Sequence, residues 1–85
     1  MDLRSQFEDA AARSRTLGEQ PNDVLLNLYA LYKQATAGDA SGPRPGGFNM
    51  VGRAKFDAWS KLAGTSAEQA MQDYIALVDE LSRRA

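Results

Sequence analysis

Apolar residues recur through the C-terminal part of the sequence at a spacing that only an α-helix brings to one side. They are Ala67, Ala70, Met71, Tyr74, Leu77, Val78 and Leu81. Thr65 or Ser66 can begin this helix, with Glu68 or Gln69 completing a capping box. Helix-forming residues also dominate the rest of the chain and β-branched residues are few, so the sequence predicts an all-α fold.

Two helices are predicted in the first half of the chain. In the first, Leu3, Phe7, Ala10, Ala11 and Ser14 recur at helical spacing, and Asp2 is a candidate N-terminal cap. Pro21 interrupts the helical pattern, and the second helix should begin at Asn22 or Asp23. The apolar stripe of the second helix consists of Leu25, Leu28, Tyr32 and Ala35, widened by Leu26 and Tyr29.

The remaining helix is expected after residues 38–47, where glycine and proline exclude regular structure. Asn49 can cap this helix and Gly64 ends it. Its apolar side is formed by Val51, Ala58, Trp59 and Leu62.

The lengths of the connections constrain the topology. The first and last are short, so helices 1 and 2, and helices 3 and 4, are expected to be antiparallel neighbours. The connection at residues 38–47 is long enough to cross the bundle and lets helices 2 and 3 run parallel. We therefore predict a four-helix bundle with up-down-down-up topology. Its 85 residues suit a single domain covering residues 1–85.

Charge limits the kinds of partner. The formal net charge is −1, which argues against a nucleic-acid binder and against a protein held on acidic membranes by charge. Residues 33–61 nevertheless carry five basic and two acidic residues, an excess of +3, while the flanks together carry −4. A local positive centre of this kind favours a small anionic ligand over a polymer.

Catalytic chemistry has no candidate residues in this sequence. The chain contains no cysteine and no histidine, which excludes disulfides, thiolate chemistry, Cys/His zinc sites and histidine general bases. No pair of carboxylates shares an apolar face, and the glycine-rich segment lacks the Gly-Lys-Ser/Thr ending of a phosphate-binding loop. We expect a binding protein that is not an enzyme, with no metal and no cofactor.

Signals for membranes and secretion are also missing. No apolar run reaches the length that spans a bilayer, and residues 1–4 do not begin a secretory signal. We expect a cytoplasmic protein without stable membrane insertion, and a monomer as the simplest assembly.

Lysines beside aromatic residues break the simple amphipathic pattern. Lys55 lies four positions before Trp59, at the edge of an apolar stripe. Tyr29 and Lys33 share one face of helix 2, and Tyr32 lies beside them. Hydroxyl and ammonium groups donate to phosphate oxygens, and an aromatic ring can stack on a purine. The alternative is structural, with half-buried tyrosines and lysines whose stems cover the core.

Three further polar residues have ordinary structural interpretations. Tyr74 is interpreted as a core residue with its hydroxyl at the rim. Arg15 is a favourable charge near the end of helix 1. Asp57 is expected to form helix-surface ion pairs with Arg53 and Lys61, each four positions away.

Several blocks of the sequence together resemble the acyl-CoA-binding protein family. The blocks are Leu28–Thr36 with Gly38-Asp39, Pro45-Gly46, Gly52–Trp59, and Gly64–Ser66 followed by Ala70-Met71 and Tyr74-Ile75. They occur in the order and at the spacing of the family over nearly the whole chain. The run Tyr32-Lys33-Gln34-Ala35-Thr36 is highly specific.

The resemblance implies a four-helix bundle of the same up-down-down-up topology. It also implies binding of long-chain fatty acyl-CoA thioesters, which family members hold as an intracellular pool. Tyr29, Lys33 and Lys55 match the family residues that bind the 3′-phosphate and adenine end of CoA. Tyr32 matches an aromatic residue beside the adenine.

The resemblance implies further ligand contacts outside that group. Tyr74 matches a tyrosine that contacts the ligand from the last helix, and Arg15 falls where the family often has lysine. Leu25 and Leu26 fall where apolar residues line the acyl-chain groove. Transient contact with enzymes that use acyl-CoA would accompany a carrier role.

Some positions depart from the family pattern. Phe56 stands where tryptophan is usual, and Gly47 stands where a larger apolar residue is common. These departures bear on acyl-chain length preference and affinity more than on the class of ligand.

Two other functions remain open from the residues alone. A helical interaction module would dock a partner helix in an apolar groove, and it needs no clustered tyrosine and lysine. An esterase acting on thioesters needs a nucleophile and base, and the sequence offers no visible pair.

Overall fold

Four helices account for most of the chain in the computed structural model, which describes residues 1–84. They are α1 (Leu3–Ser14), α2 (Asn22–Ala37), α3 (Met50–Ser60) and α4 (Ala67–Arg84). No strand occurs within the described residues, so the all-α prediction is confirmed.

Short polar side chains begin three of these helices as predicted. The carboxylate of Asp2 and the side-chain oxygen of Asn49 each accept a hydrogen bond from the backbone N–H three residues later, at 2.8 and 3.0 Å. The Ser66 hydroxyl accepts from the backbone N–H of Gln69 at 3.0 Å. The Gln69 side chain donates forward to Asp73, so only the serine half of the capping box is formed.

The longest helix, α4, lies at the centre of the packing. It packs against both α1 and α2, and α2 in turn packs against α3. Ala10 and Ala70 are completely buried, and such small side chains let helix backbones approach closely. The buried core consists of Phe7, Ala10, Ala35, Ala70, Met71, Tyr74 and Val78.

The expectation that helices 1 and 2, and helices 3 and 4, are antiparallel neighbours is correct for their directions but wrong for close packing of their backbones. No Cα atom of α1 lies within 8 Å of a Cα atom of α2, and the same holds for α3 and α4. A short connection fixes the direction of the next helix but not its packing partner. The broad apolar face of α4 occupies the position beside α1 and α2 instead, because it offers the most surface to bury.

The directions of the helices confirm the up-down-down-up topology. Phe7 lies against Tyr74, with ring centres 5.2 Å apart, and six positions further along α1 Arg13 pairs with Asp79 at 3.0 Å. Because the later residue of α1 contacts the later residue of α4, the two helices run parallel. The amide of Gln34, near the end of α2, donates to the Thr65 carbonyl just before α4 begins, as antiparallel helices require.

The stripe predicted for α2 is only partly correct. Leu25 and Tyr32 are 50% and 43% exposed, whereas the polar Gln34 is completely buried. The reason is that α2 packs on two sides, against α4 and against α3. The residues buried there are Ala30, Gln34 and Ala35.

The glycine- and proline-rich connection after α2 is irregular, as predicted, but one ion pair ties it to α3. Arg44 donates two hydrogen bonds to the two carboxylate oxygens of Asp57, at 2.7 and 2.6 Å. These bonds lower the pKa of Asp57 below its ordinary value. The prediction that Asp57 pairs with Arg53 and Lys61 is therefore wrong. The Arg44 guanidinium binds both carboxylate oxygens at once, and this two-bond contact is stronger than the contact that a lysine or a neighbour on the same helix would make.

Candidate functional site

The interface between α2 and α3 carries three pairs of facing residues. Lys55 of α3 lies over the ring of Tyr29 of α2, and Lys33 of α2 lies over the ring of Trp59 of α3. One turn before these, Leu25 and Val51 line a common cavity. Each pair has the same offset in sequence, so α2 and α3 run parallel, and successive pairs are four residues, or roughly 6 Å, apart along the helices.

Two crossed cation–π contacts form the cationic end of this interface. The Lys55 ammonium nitrogen is 5.1 Å from the centre of the Tyr29 ring, and the Lys33 nitrogen is 5.0 Å from the Trp59 ring. Contacts of this kind are worth about 0.5–2 kcal/mol each. We call these four residues the lysine–aromatic cluster. Each helix contributes one lysine and one aromatic residue, so both ammonium groups lie at the same interface.

Trp59 is also held in place by a hydrogen bond at the edge of its ring system. Its indole N–H donates to the Gly38 carbonyl at 2.7 Å. Gly38 ends α2 with a φ of 79°, a left-handed conformation that favours glycine at a helix C-terminus. The end of α2 therefore fixes the ring on which Lys33 rests.

A hydrogen-bonded carboxylate anchors the residues that follow Gly38. Asp39 accepts from the backbone N–H of Gly64 at 2.9 Å and from the side-chain amide of Gln34 at 2.7 Å. These bonds, the Gly64 bond first, hold the pKa of Asp39 below its ordinary value. Asp39 thereby ties the end of α2 to the turn that follows α3, beside the lysine–aromatic cluster.

The two lysines of the cluster carry charge that no acidic side chain neutralises. Within residues 1–84 neither Lys33 nor Lys55 forms an ion pair, whereas Arg13, Arg44, Arg83 and Arg84 do. Lys33 is half-buried and Lys55 is exposed. Their remaining N–H donors are free to bind an anion.

An apolar trough adjoins the cluster at the start of α2 and α3. It has a volume of about 240 Å³ and opens to the surface. Lys55 lines this trough and also rests on Tyr29, so the trough and the cluster meet at that lysine. The lining residues are Asn22, Leu25, Leu26, Val51, Ala54 and Lys55. Together, the trough and the cluster form one strip, apolar at one end and cationic at the other.

Tyr32 and Arg15 lie in a separate cleft between α1 and α2. The cleft has a volume of about 300 Å³, and both residues line it together with Arg4, Glu8 and Thr36. The Tyr32 ring stacks on Phe7, with ring centres 5.5 Å apart. Tyr32 lies three positions after Tyr29 and directly before Lys33, so this cleft borders the cluster on the α1 side.

Tyr74 lies in the core rather than at the cluster. It is 4% exposed and packs against Phe7 and Tyr32, and its hydroxyl donates to the Ser14 hydroxyl at 3.1 Å. The core interpretation made from the sequence is confirmed. A contact between Tyr74 and a ligand stays a prediction.

A larger cavity of about 440 Å³ opens between α2, α3 and α4. It exists because α3 packs only against α2 and leaves a gap beside α4. Leu26 lines both this cavity and the trough, whereas no residue of the lysine–aromatic cluster lines it.

Four residues of this site were absent from the set predicted to bind a ligand. Asn22, Val51 and Ala54 line the trough, and Trp59 supports Lys33. The spacing of Lys55 and Trp59 repeats that of Tyr29 and Lys33, and this repetition is the signal that could have identified Trp59. Val51 and Ala54 give no such signal, because an apolar side chain on a helix is more often part of the core.

The described residues hold neither a metal-ligand cluster nor a membrane-spanning helix. Within residues 1–84 no three histidine, cysteine or acidic side chains are grouped so that they could hold a metal ion. No helix in the same range combines the length and the apolar character needed to cross a bilayer.

A small helical bundle with an open strip of this kind defines a class of protein that binds an amphiphilic, anionic small molecule. The sequence assigns the chain to a family within that class. Residues 4–78 match the family described as "Acyl CoA binding protein". The chain belongs to the acyl-CoA-binding protein family.

Relatives of known sequence span nearly the same length. The chain is 53% identical over 83 residues to an acyl-CoA-binding protein homolog of Manduca sexta, covering 95% of this chain and 92% of that protein. It is also 53% identical over 76 residues to the acyl-CoA-binding protein of Saccharomyces cerevisiae, covering 88% and 87%.

Solved structures share the fold closely. The crystal structure of Oryza sativa acyl-CoA-binding protein 2 matches with a TM-score of 0.94 at 44% identity, covering 98% of this chain and 93% of that one. The crystal structure of the protein from Moniliophthora perniciosa matches with a TM-score of 0.89 at 34% identity, covering 99% and 83%.

Proposed function

We propose that this protein binds long-chain fatty acyl-CoA thioesters without covalent chemistry, and acts as a carrier and pool former for them. The single observation that carries the proposal is the strip between α2 and α3, where Lys55 both lines the apolar trough and belongs to the cluster. An acyl-CoA has a complementary arrangement, with an apolar chain at one end and negatively charged phosphate groups at the other. Family membership supports the same ligand class.

The head of the ligand is assigned to the cationic end of the strip. Lys33 and Lys55 donate to the 3′-phosphate, Tyr29 supplies a hydroxyl donor, and Tyr32 lies beside the adenine. Charge-assisted hydrogen bonds of this kind contribute about 1.5–3 kcal/mol each. The cation–π contacts support this assignment because they hold the lysine side chains at the interface before the ligand arrives, which reduces the entropy lost on binding.

The acyl chain is assigned to the trough lined by Leu25 and Leu26. Each methylene removed from water contributes ~0.8 kcal/mol, so ~14 of them supply ~11 kcal/mol before costs. Lost freedom of the ligand and of side chains offsets part of this gain. The acyl chain of the ligand therefore supplies most of the binding free energy, and its head group supplies orientation and selectivity.

Arg15 and Tyr74 are assigned secondary roles. Arg15 faces the cleft that also contains Tyr32, so its guanidinium is available to a phosphate group that extends toward α1. Tyr74 packs against Tyr32, with ring centres 6.1 Å apart, and its role is to position that ring. Both assignments rest on proximity to Tyr32.

We propose a non-catalytic role because the residues usually needed for thioester hydrolysis are missing from the sequence. The chain has no histidine and no cysteine, and no nucleophile–base pair is visible in its sequence. The alternative of a module that docks a partner helix is less favoured, since that function gives no reason for two lysines beside the trough. The cytoplasmic setting, the monomeric state and transient contact with acyl-CoA-using enzymes stay predictions.

Calorimetric titration with a series of acyl-CoA esters tests the proposal. We expect affinity to rise with acyl length and CoA alone to bind weakly, because the trough contributes only when a chain fills it. An affinity that does not change with chain length would reject the acyl assignment. A protein that binds none of the series, and hydrolyses none, would instead favour the interaction module.

A further inference from the structure

The start of α3 presents large apolar side chains to solvent. Phe48, Met50 and Val51 are 108%, 78% and 66% exposed, and Leu25, which shares the trough with Val51, is 50% exposed. We call Phe48, Met50 and Val51 the α3 tip. A soluble domain rarely leaves contiguous large apolar residues in water without a use for them. The tip is continuous with the mouth of the trough through Val51.

The charge around the tip is of one sign. Residues 40–56 contain Arg44, Arg53 and Lys55 and no aspartate or glutamate, an excess of +3, while the rest of the chain carries −4. Arg53 forms no ion pair within residues 1–84. Its guanidinium lies 3.6 Å from the point where a side chain at Gly47 would begin, so it borders the tip. Because the rest of the chain is acidic, a negatively charged surface attracts this end of the molecule and repels the other residues, which orients the protein.

We propose that the α3 tip docks the protein on an anionic lipid bilayer. Phe48 and Met50 insert between the lipid headgroups, and Arg53 and Lys55 face the anionic headgroups around them. The exposed side chains project from the beginning of a helix, and a projecting tip suits insertion into lipid more than it suits a partner helix, which needs a groove. The net charge of the whole chain argues against attachment to an acidic membrane by charge alone. In this proposal the apolar side chains of the tip supply most of the binding free energy.

Docking of this kind would bring the trough to the place where acyl chains are found. Val51 belongs to both the tip and the trough, so a bilayer bound at the tip faces the mouth of the trough. An acyl chain could then pass from lipid into the protein with little exposure to water. The docking surface itself stands independently of acyl-CoA binding, and only this role in loading rests on the proposed function.

Cosedimentation with lipid vesicles tests the docking surface. The ligand-free protein is mixed with vesicles of phosphatidylcholine alone, or of phosphatidylcholine with phosphatidylserine. We expect binding that increases with phosphatidylserine and weakens with salt. The double variant Phe48→Ser/Met50→Ser should lower the partition coefficient by at least about tenfold, since two large apolar side chains no longer enter the lipid.

Matched controls separate this proposal from acyl-CoA binding. Arg53→Gln should weaken binding to the anionic vesicles, whereas Arg4→Gln, an equal loss of charge on α1, should not. The double variant should keep its affinity for acyl-CoA in solution, because neither Phe48 nor Met50 lines the trough. Absence of vesicle binding by the unmodified protein, or equal binding by the double variant, overturns the docking proposal and leaves acyl-CoA binding unaffected.

Discussion

The ammonium group of Lys55 on α3 lies 5.1 Å from the centre of the Tyr29 ring on α2. This contact joins two helices that are separated in the sequence by the glycine- and proline-rich connection. It places a positive charge where the apolar trough ends. In the proposed function, this charge meets the anionic head of a ligand whose apolar chain lies in the trough.

Filling the trough should reduce affinity only for ligands that carry a chain. Ala54 lines the trough, and Ala54→Leu would occupy part of its volume. We expect affinity for a long-chain acyl-CoA to fall about tenfold, the equivalent of roughly two displaced methylenes. Affinity for CoA alone should not change. Calorimetry measures both, and Ala63→Leu, in the exposed turn after α3, is the control that adds the same side chain outside the trough.

Removing the aromatic anchor of α1 should destabilise the fold. Phe7 is 2% exposed and lies against both Tyr32 and Tyr74. Phe7→Ala should lower the free energy of unfolding by about 3–5 kcal/mol, since it leaves a cavity in the core. Phe7→Leu should cost less because it fills more of that space. Urea denaturation followed by circular dichroism measures both changes, and equal stability of Phe7→Ala and the unmodified protein would contradict this packing.

Stability should decline in acid partly through Asp39. Its folded-state pKa is lowered from 3.8, first by the Gly64 N–H and then by Gln34. A lowered folded-state pKa stabilises the protein above the unfolded-state pKa, and this contribution is lost as the pH falls through the folded-state pKa. Asp39→Asn should therefore be less stable than the unmodified protein at neutral pH, and the difference should narrow below about pH 4.

Thermal unfolding over a pH series measures this narrowing. The two proteins are compared at each pH, so that titration of the other carboxyl groups affects both equally. A difference in melting temperature that stays constant from neutral to acid pH would show that Asp39 does not act through its charge.

The fold was largely predictable from the sequence because its signals are local. Asp2 and Asn49 cap helices where the sequence placed them, and the apolar face of α4 is buried as its spacing indicates. The packing partners of α1 and α3 were not predictable, because connection length restricts direction but not lateral position. The burial of Gln34 was also missed, since its partners Asp39 and Thr65 come together only in the folded chain.

The sequence predicted most of the residues that form the candidate site, but not how they are arranged. Tyr29, Lys33 and Lys55 were identified from their spacing and from the family resemblance, and the structure brings them to one interface. Trp59 was assigned only to an apolar stripe, because its contact with Lys33 depends on the parallel packing of α2 and α3. The ion pair between Arg44 and Asp57 likewise depends on how the intervening connection folds back.

Titration with a long-chain acyl-CoA and with its 3′-dephospho form tests the central claim most directly. Lys33→Ala and Lys55→Ala should each weaken binding of the intact ligand by about tenfold or more, the loss of one charge-assisted hydrogen bond. Neither variant should weaken binding of the dephospho form, and Lys61→Ala, a lysine outside the cluster, should leave both affinities unchanged. Equal losses for the two ligands would contradict the assignment of the 3′-phosphate to the lysines of the α2–α3 interface.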